Sequence, residues 1–250
     1  MISRNSYRQL AAAKAVATAL LVLLTGPTAI GQALSVLPVN VFLSPGQKAT
    51  SLTVTNKGES ETAIQIRVYA WSQKDGDGEF QLTATNRVVL SPPIARMAPG
   101  ASQVVRIILR QLPEGREATY RILIDQIPPP AEPGVVHVVL RMSIPIFAQP
   151  AIRSFADVQF HLERKDGQIY LVGFNAGNLH ETIRDIVLTA SDGRKLKPES
   201  NASPYILDGV TRRWLVAAQG PLPLPSETLQ LTAHANAGAI EEQVRFVPAQ

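Results

Sequence analysis

The sequence predicts an all-β protein made of two immunoglobulin-like β-sandwich domains joined stiffly at an angle. Apolar and polar residues alternate along short segments, which is the period of a strand whose two faces differ. These segments recur at short intervals and are separated by Pro, Gly, Asn and Asp, the residues that favour turns. The chain has 19 Pro and 16 Gly among its 250 residues, a composition that suits many short strands and turns.

The first half of the chain contains the following strand segments in order: LSVLPVNVFL (34–43), TSLTVTN (50–56), TAIQIRVYAW (62–71), RVVL (87–90), QVVRIILR (103–110), TYRILIDQI (119–127) and VVHVVLRMSIPIFAQP (135–150). Turn sequences separate them: Pro45-Gly46, Lys57-Gly58, Asp75 to Gly78, Pro99-Gly100 and IPPPAEPG (127–134). Short strands and frequent turns over this length are typical of one immunoglobulin-like sandwich. We expect this domain to cover residues 34–150.

The last of these segments is unusual because its apolar row is long. The row occupies every second position: Val136, Val138, Leu140, Met142, Ile144 and Ile146. We expect one strand over residues 135–147, longer than a typical strand. Two interpretations are open at this point. The row belongs to the protein's own core, as most apolar stripes do, or it is kept for a partner.

The second half repeats the strand-and-turn pattern with a different sequence. Its strand segments are DVQFHLER (157–164), QIYLVGFNAG (168–177), TIRDIVLTAS (182–191), RRWLVAA (212–218), TLQLTAHA (228–235) and EEQVRFVP (241–248). We expect a second β-sandwich domain over residues 151–250. The boundary near residues 149–154 contains no long flexible linker, so the two domains are expected to be joined stiffly.

The N-terminus resembles a secretory leader. Arg4, Arg8 and Lys14 precede the apolar run AVATALLVLL, and small residues stand at Gly31 and Ala33. The apolar run is too short to cross about 30 Å of hydrocarbon. We therefore expect residues 1–33 to be a cleaved signal peptide and the mature chain to lie in the periplasm, without membrane insertion.

Composition and motifs exclude several classes of function. The whole chain has a net charge of +4, but residues 1–33 hold three basic residues and no acidic one, which leaves 21 basic against 20 acidic residues. Such a balance, without a basic cluster, argues against nucleic-acid binding. The absence of Cys excludes disulfides and structural Cys zinc sites. Because no catalytic or metal motif is found, we expect no enzyme activity, no cofactor and no metal site.

Several separate pieces of the first half together carry a family resemblance. They are SxxPxxVFLxPG (35–46), LTVTN (52–56), SPPIARMAPGASQVVRI (91–107), EGREATYRILIDQIPP (114–129) and the strand that ends in IFAQP (146–150). In order and spacing they resemble the periplasmic pilus chaperone family, the PapD-like chaperones, across residues 34–150. The second half is similar to the family only through its length and the NAGN segment at residues 175–178.

The resemblance implies a function for the long apolar row. In this family the last strand of the first domain completes an unfinished pilus subunit, a mode of recognition called strand addition. The implied role is a chaperone that stabilises pilus subunits and delivers them to an outer-membrane usher. The residues expected to enter the subunit groove are Val136, Val138, Leu140, Met142 and Ile144.

The sequence departs from the family at the usual carboxylate anchor. Asn40 and Pro145 stand where better-known members carry an Arg and a Lys that hold the subunit's C-terminal carboxylate. The IPIF segment is instead similar to the divergent, archaic branch of the family. Arg121 is the first candidate for a replacement anchor, and Arg106 is the second. Two alternative functions stay open: a secreted two-domain binding or adhesion module, and a periplasmic hydrolase on a β-scaffold.

Overall fold

The computed structural model describes residues 34–76, 78–128, 130, 138–199, 203–217 and 223–247, so the expected signal peptide lies outside the described residues. Ten strands come from the first half: β1 (Leu34–Leu37), β2 (Val41–Leu43), β3 (Ala49–Asn56), β4 (Thr62–Gln73), β5 (Phe80–Ala84), β6 (Val88–Ser91), β7 (Ile94–Met97), β8 (Ser102–Leu109), β9 (Ala118–Ile127) and β10 (Arg141–Ala148). Nine come from the second half: β11 (Val158–Lys165), β12 (Gln168–Asn175), β13 (Glu181–Thr182), β14 (Arg184–Thr189), β15 (Lys195–Pro198), β16 (Tyr205–Ile206), β17 (Thr211–Ala217), β18 (Thr228–Ala235) and β19 (Gly238–Arg245).

The first ten strands form two sheets that pack face to face. One sheet has the strand order β1-β3-β8-β6, and the other has the order β2-β10-β9-β4-β5, with β7 also paired to β4. Alternate residues of each sheet enter the core between them, as Val105 and Ile107 do from β8 and Ile122 and Ile124 do from β9. The alternation of apolar and polar residues in these segments therefore correctly indicates which side chains face the core.

The expected turn at Asp75 to Gly78 joins β4 to β5, which pair as a hairpin up to Gln73 and Phe80. Strand β5 has no segment of its own in the sequence prediction because it lies at the sheet edge, where four of its five residues are exposed and no apolar row is required.

The strands of the second half form mainly one curved sheet. Its order is β11-β12-β17-β15-β14-β18-β19, and the short strands β13 and β16 pair separately. The sheet curls until its two ends meet, because Phe246 bridges to Leu162 and the Val247 N–H donates to the Leu162 carbonyl at 2.8 Å. Its inner face covers a second core that includes Trp214 and Leu231.

The all-β, two-domain fold class is confirmed, with no helix among the described residues. One predicted element is partly wrong. The strand expected over residues 135–147 covers Arg141–Ala148, residues 138–140 belong to no strand, and residues 135–137 lie outside the described residues. The domain limits at residues 150 and 151 stay a prediction. Within the described part of the chain, no helix has the length and hydropathy needed to cross a membrane.

Candidate functional site

Strand β10 has an edge that its own sheet leaves partly free. On one side it pairs with β9 along its whole length, from Arg141 opposite Asp125 to Ala148 opposite Ala118. On the other side it pairs with β2 only over residues 146–148. Residues 141–145 therefore present main-chain groups along an edge that no described strand covers. Such an edge is a template for another strand.

The apolar row of this segment leaves the protein's own core step by step. Ile146 is fully buried, and Ile144 is 6% exposed. Met142 is partly buried against the same core. Leu140 is already 37% exposed, and Val138 is 79% exposed. The row is thus continuous with the core at one end and open to solvent at the other.

Three of the five residues predicted to enter a partner's groove lie in the open part of the row: Val138, Leu140 and Met142. Val136 lies outside the described residues. Ile144 is a correction, because its side chain packs in the core between the two sheets of the first domain and is committed there. The sequence could not set this limit, since period two alone does not say where a row leaves its core.

Arg121, the first candidate anchor, lies on the outer face of β9, where the two domains meet. Its guanidinium stacks over the Trp71 ring, with Cζ 4.0 Å from the ring centroid. The rings of Phe80 and of Tyr205, a residue of the second domain, each lie 5.7 Å away. An aromatic wall therefore surrounds one side of a cationic group.

The charge of Arg121 is poorly compensated. Its Nη1 lies 3.4 Å from the Ser143 hydroxyl oxygen, at the edge of hydrogen-bond distance. Its Nε is buried, with no hydrogen-bond partner among the described residues. No described carboxylate forms an ion pair with it. Burial lowers the pKa of Arg121, with only Tyr205 acting against the shift. A carboxylate placed here would gain a charge-assisted bond.

Arg106, the second candidate, does not lie with Arg121. It belongs to β8 in the other sheet, opposite Ser51 on one side and Ser91 on the other. Its exposed side chain is on the outer face of that sheet, since its neighbours Val105 and Ile107 face the core. The structure therefore does not bring the two candidate anchors together, because β8 and β9 belong to opposite layers of the sandwich.

The two residues at the usual anchor positions serve other purposes here. The Asn40 Oδ1 accepts a hydrogen bond from the Tyr205 hydroxyl at 3.2 Å, which ties the segment between β1 and β2 to the second domain. Pro145 is buried within β10, directly opposite Arg121. Pro145 has no N–H, so it removes one main-chain donor from the strand.

The second domain supplies a wall that the sequence did not indicate. The His180 ring stacks on Phe147 of β10 at 3.5 Å between centroids, and its Nδ1 lies 2.6 Å from Glu117 Oε2. Tyr205 contacts Trp71 edge to face at 5.5 Å. These residues are separated by up to 134 positions in the sequence (Trp71 to Tyr205), and no local pattern relates them.

An ion triad fixes the point where β10 begins. Arg67 Nη2 donates to Asp125 Oδ2 at 2.6 Å, and Arg141 Nε contacts the other oxygen of the same carboxylate. Burial of Asp125 acts to raise its pKa, but the hydrogen bonds from Arg141 and Arg67 outweigh burial and lower the pKa below its usual value. The charged carboxylate thus holds Arg141 against β9.

The described residues contain no group of three or more His, Asp and Glu side chains that could hold a metal ion. The features that distinguish this site are therefore a strand edge, an apolar row and a buried cation.

Comparison with known proteins shows what the first domain is similar to. Residues 33–153 match the family described as pili and flagellar-assembly chaperone, PapD N-terminal domain. The first half of the chain is similar to this family. The PapD-type domain is 28% identical over 121 residues to the chaperone protein FimB/FhaD of Bordetella pertussis, a match that covers 44% of this chain and 48% of that protein. The chain thus spans about half the length of the curated relatives it matches.

Solved structures extend the likeness beyond the PapD-type domain. The CsuC–CsuE chaperone and tip subunit pre-assembly complex of archaic chaperone-usher Csu pili from Acinetobacter baumannii aligns with a TM-score of 0.61 and 21% identity, covering 87% of this chain and 100% of that one. The Escherichia coli chaperone DraB aligns with a TM-score of 0.58 and 21% identity, covering 86% and 97%. At these identities the likeness establishes the fold of both domains.

Proposed function

We propose that this protein is a periplasmic chaperone, without enzyme activity or cofactor, that captures unfinished pilus subunits by strand addition and delivers them to an outer-membrane usher. The observation that carries the proposal is the apolar row that leaves its own core along the unpaired edge of β10. Matches to curated chaperones and to the chaperone of an archaic pilus system support it.

A free, apolar strand edge is a hazard that proteins normally remove with charges, Pro or a covering element. Here Val138, Leu140 and Met142 keep apolar side chains beside main-chain groups that residues 141–145 leave free. A subunit that lacks one strand satisfies both needs, because its own edge pairs with β10 and its open groove accepts the side chains. The row would then continue the chaperone's core into the subunit.

The energetics require more than the apolar row. Three buried side chains supply about 5 to 9 kcal/mol before costs are counted. Association costs about 4 to 15 kcal/mol. Main-chain hydrogen bonds and an anchored carboxylate must therefore contribute, and Arg121 with the Ser143 hydroxyl offers the donors for the subunit's C-terminal carboxylate.

Two charge substitutions in one strand test this function. Leu140→Asp places a carboxylate on the open part of the row, so the free protein should keep its thermal midpoint. Ile144→Asp, the matched control, places the same charge in the chaperone's own core and should unfold it, because an unpaired buried charge costs several kcal/mol.

The proposed function predicts that genes for pilus subunits lie beside the gene of this protein. In the binding experiment, the chain is co-expressed with those subunit genes. Co-purification of a subunit should be lost with Leu140→Asp although this variant is folded. A Leu140→Asp protein that melts early, or that still retains the subunit, would contradict the role of the row.

A further inference from the structure

The ladder between β9 and β10 ends in an irregular pair. The register that sets Arg141 opposite Asp125 also sets Leu140 opposite Gln126. The Gln126 N–H donates to the Leu140 carbonyl at 2.9 Å, as a regular antiparallel pair requires. The Leu140 N–H, however, donates to the side-chain Oε1 of Gln126 at 3.3 Å, where a regular pair would use the main-chain oxygen.

The Gln126 side chain is held firmly in the position that allows this bond. It is 4% exposed, and its Nε2 donates to the Thr62 hydroxyl of β4 at 2.9 Å. A buried amide with bonds at both ends has little freedom to turn. The position of Oε1, and with it the position of the Leu140 backbone, is therefore fixed from the neighbouring strand β4.

Pairing does not resume over the described residues 138 and 139. The same register would place Val138 opposite Pro128, which has no N–H to donate. Residues 138–140 accordingly belong to no strand, and Val138 is largely exposed. Among the described residues, Gln126 thus stands at the last residue pair that joins the apolar row to its own sheet.

We propose that Gln126 is a positioning residue for subunit capture. Its side-chain oxygen ends the internal ladder at Leu140 and holds the backbone there, so that Leu140 and Val138 are presented in one fixed register to the incoming strand. This inference rests on the proposed function, but the role of Gln126 in the free protein is measurable without a subunit.

Two variants separate this role from ordinary core stability. Gln126→Met and Thr62→Val both remove the bond between Gln126 and Thr62, but only Gln126→Met removes the acceptor of the Leu140 N–H. Amide hydrogen exchange of Leu140 in the free protein, followed by NMR, should be about tenfold faster in Gln126→Met and faster by a smaller factor in Thr62→Val, because Thr62→Val keeps the acceptor but removes the bond that holds it in place. An unchanged Leu140 amide in Gln126→Met, or an equal change in both variants, overturns the proposal.

The second measurement is the dissociation rate of the complex with the co-expressed subunit. We expect about tenfold faster dissociation for Gln126→Met than for Thr62→Val, at similar thermal midpoints. Equal rates would mean that the position of Leu140 does not matter for capture, and would also overturn the proposal. If the Leu140 amide responds as expected but even the wild-type chain retains no subunit, the proposed function fails while the bond's role in the free protein stands.

Discussion

The fold holds the Arg121 side chain in place without fully compensating its charge. Its stem and ring contacts hold it against Trp71, while its Nε has no acceptor among the described residues. A desolvated guanidinium of this kind is retained at a cost, because burial disfavours the charged form. A carboxylate bound at Arg121, as proposed, would offset that cost, in addition to the cation–π contact with Trp71.

Arg121→Met should therefore separate binding from stability. Loss of charge-assisted bonds should weaken subunit capture by about 1.5 to 3 kcal/mol, or roughly ten- to 150-fold. The free protein should melt at or above the wild-type temperature, since Met still covers Trp71 and no buried charge remains. Arg106→Met is the control on the other sheet and should leave capture unchanged. Equal capture by both variants would remove Arg121 from the site.

Asn56 and Asn175 show the same local solution used once in each domain. Each Asn is buried at the end of a strand, and its Oδ1 accepts the N–H of a Gly two positions later at 3.0 Å. Each Nδ2 donates to main-chain carbonyls of other segments. Both Asn residues stand two positions before a Gly in the sequence, but the distant acceptors of the Nδ2 groups, the carbonyls of Met97 and Ile206, gave no signal.

Among the strands, β10 shows what a sequence pattern can and cannot predict. Period two correctly indicates that residues 142, 144 and 146 share one face. It cannot tell that Gln126 and Pro128 end the ladder, because both act from the facing strand or from beyond its end. The start of β10 is therefore set by tertiary bonds, and the sequence placed it too early.

The hairpin of β4 and β5 docks on the second domain through its turn. The Gly76 N–H donates to the Thr211 carbonyl at 2.8 Å, and the Arg213 N–H donates to the Gly76 carbonyl at 2.6 Å. The Asp75 Oδ1 accepts the Thr211 N–H at 2.7 Å. The turn thus adds a short piece of parallel strand to β17, and Gly78 lies directly against the buried Arg212 side chain.

Gly78→Ala should therefore loosen this junction more than backbone strain alone would. Gly78 has a φ of +84°, and an added Cβ would lie 2.1 Å from Arg212 Cζ. Gly46→Ala is the matched control, because Gly46 has a φ of +80° and open space around the added Cβ. Strain in the left-handed region costs about 1 kcal/mol or more in both. Urea unfolding should show an additional loss of unfolding free energy for Gly78→Ala only. Equal losses in both variants would mean that the Arg212 side chain moves aside without cost.

For the molecule as a whole, the sequence predicted each domain better than their junction. Each sandwich can be predicted from the alternation of apolar and polar residues and from the turn sequences, which are local signals within about 120 residues. The junction combines Glu117, Phe147, His180 and Tyr205, which alternation assigns to separate strands and loops. The candidate cation was found because a resemblance directed attention to it, but its aromatic surroundings come from both domains and depend on how they meet.

A buried bond between Glu117 and His180 joins the two domains. The Glu117 side chain is almost fully buried, and its Oε2 accepts both the His180 main-chain N–H at 2.9 Å and the ring Nδ1 at 2.6 Å. Removing the Glu117 carboxylate leaves buried His180 donors unsatisfied, at a cost of about 1 to 3 kcal/mol each. Glu117→Ala should therefore uncouple the domains, so that one calorimetric transition becomes two.

The control lies one residue away. Arg116 bonds across the same junction to Asp208 at 3.0 Å, but the Arg116 side chain is 69% exposed, and exposed pairs contribute about 0 to 1 kcal/mol. Arg116→Ala should keep a single transition near the wild-type temperature. Because Phe147 of β10 stacks on His180, the uncoupled Glu117→Ala protein should also lose subunit capture in proportion to its loosened junction. A single, unshifted transition in Glu117→Ala would show that the main-chain bonds of the β4–β5 turn are sufficient to join the domains.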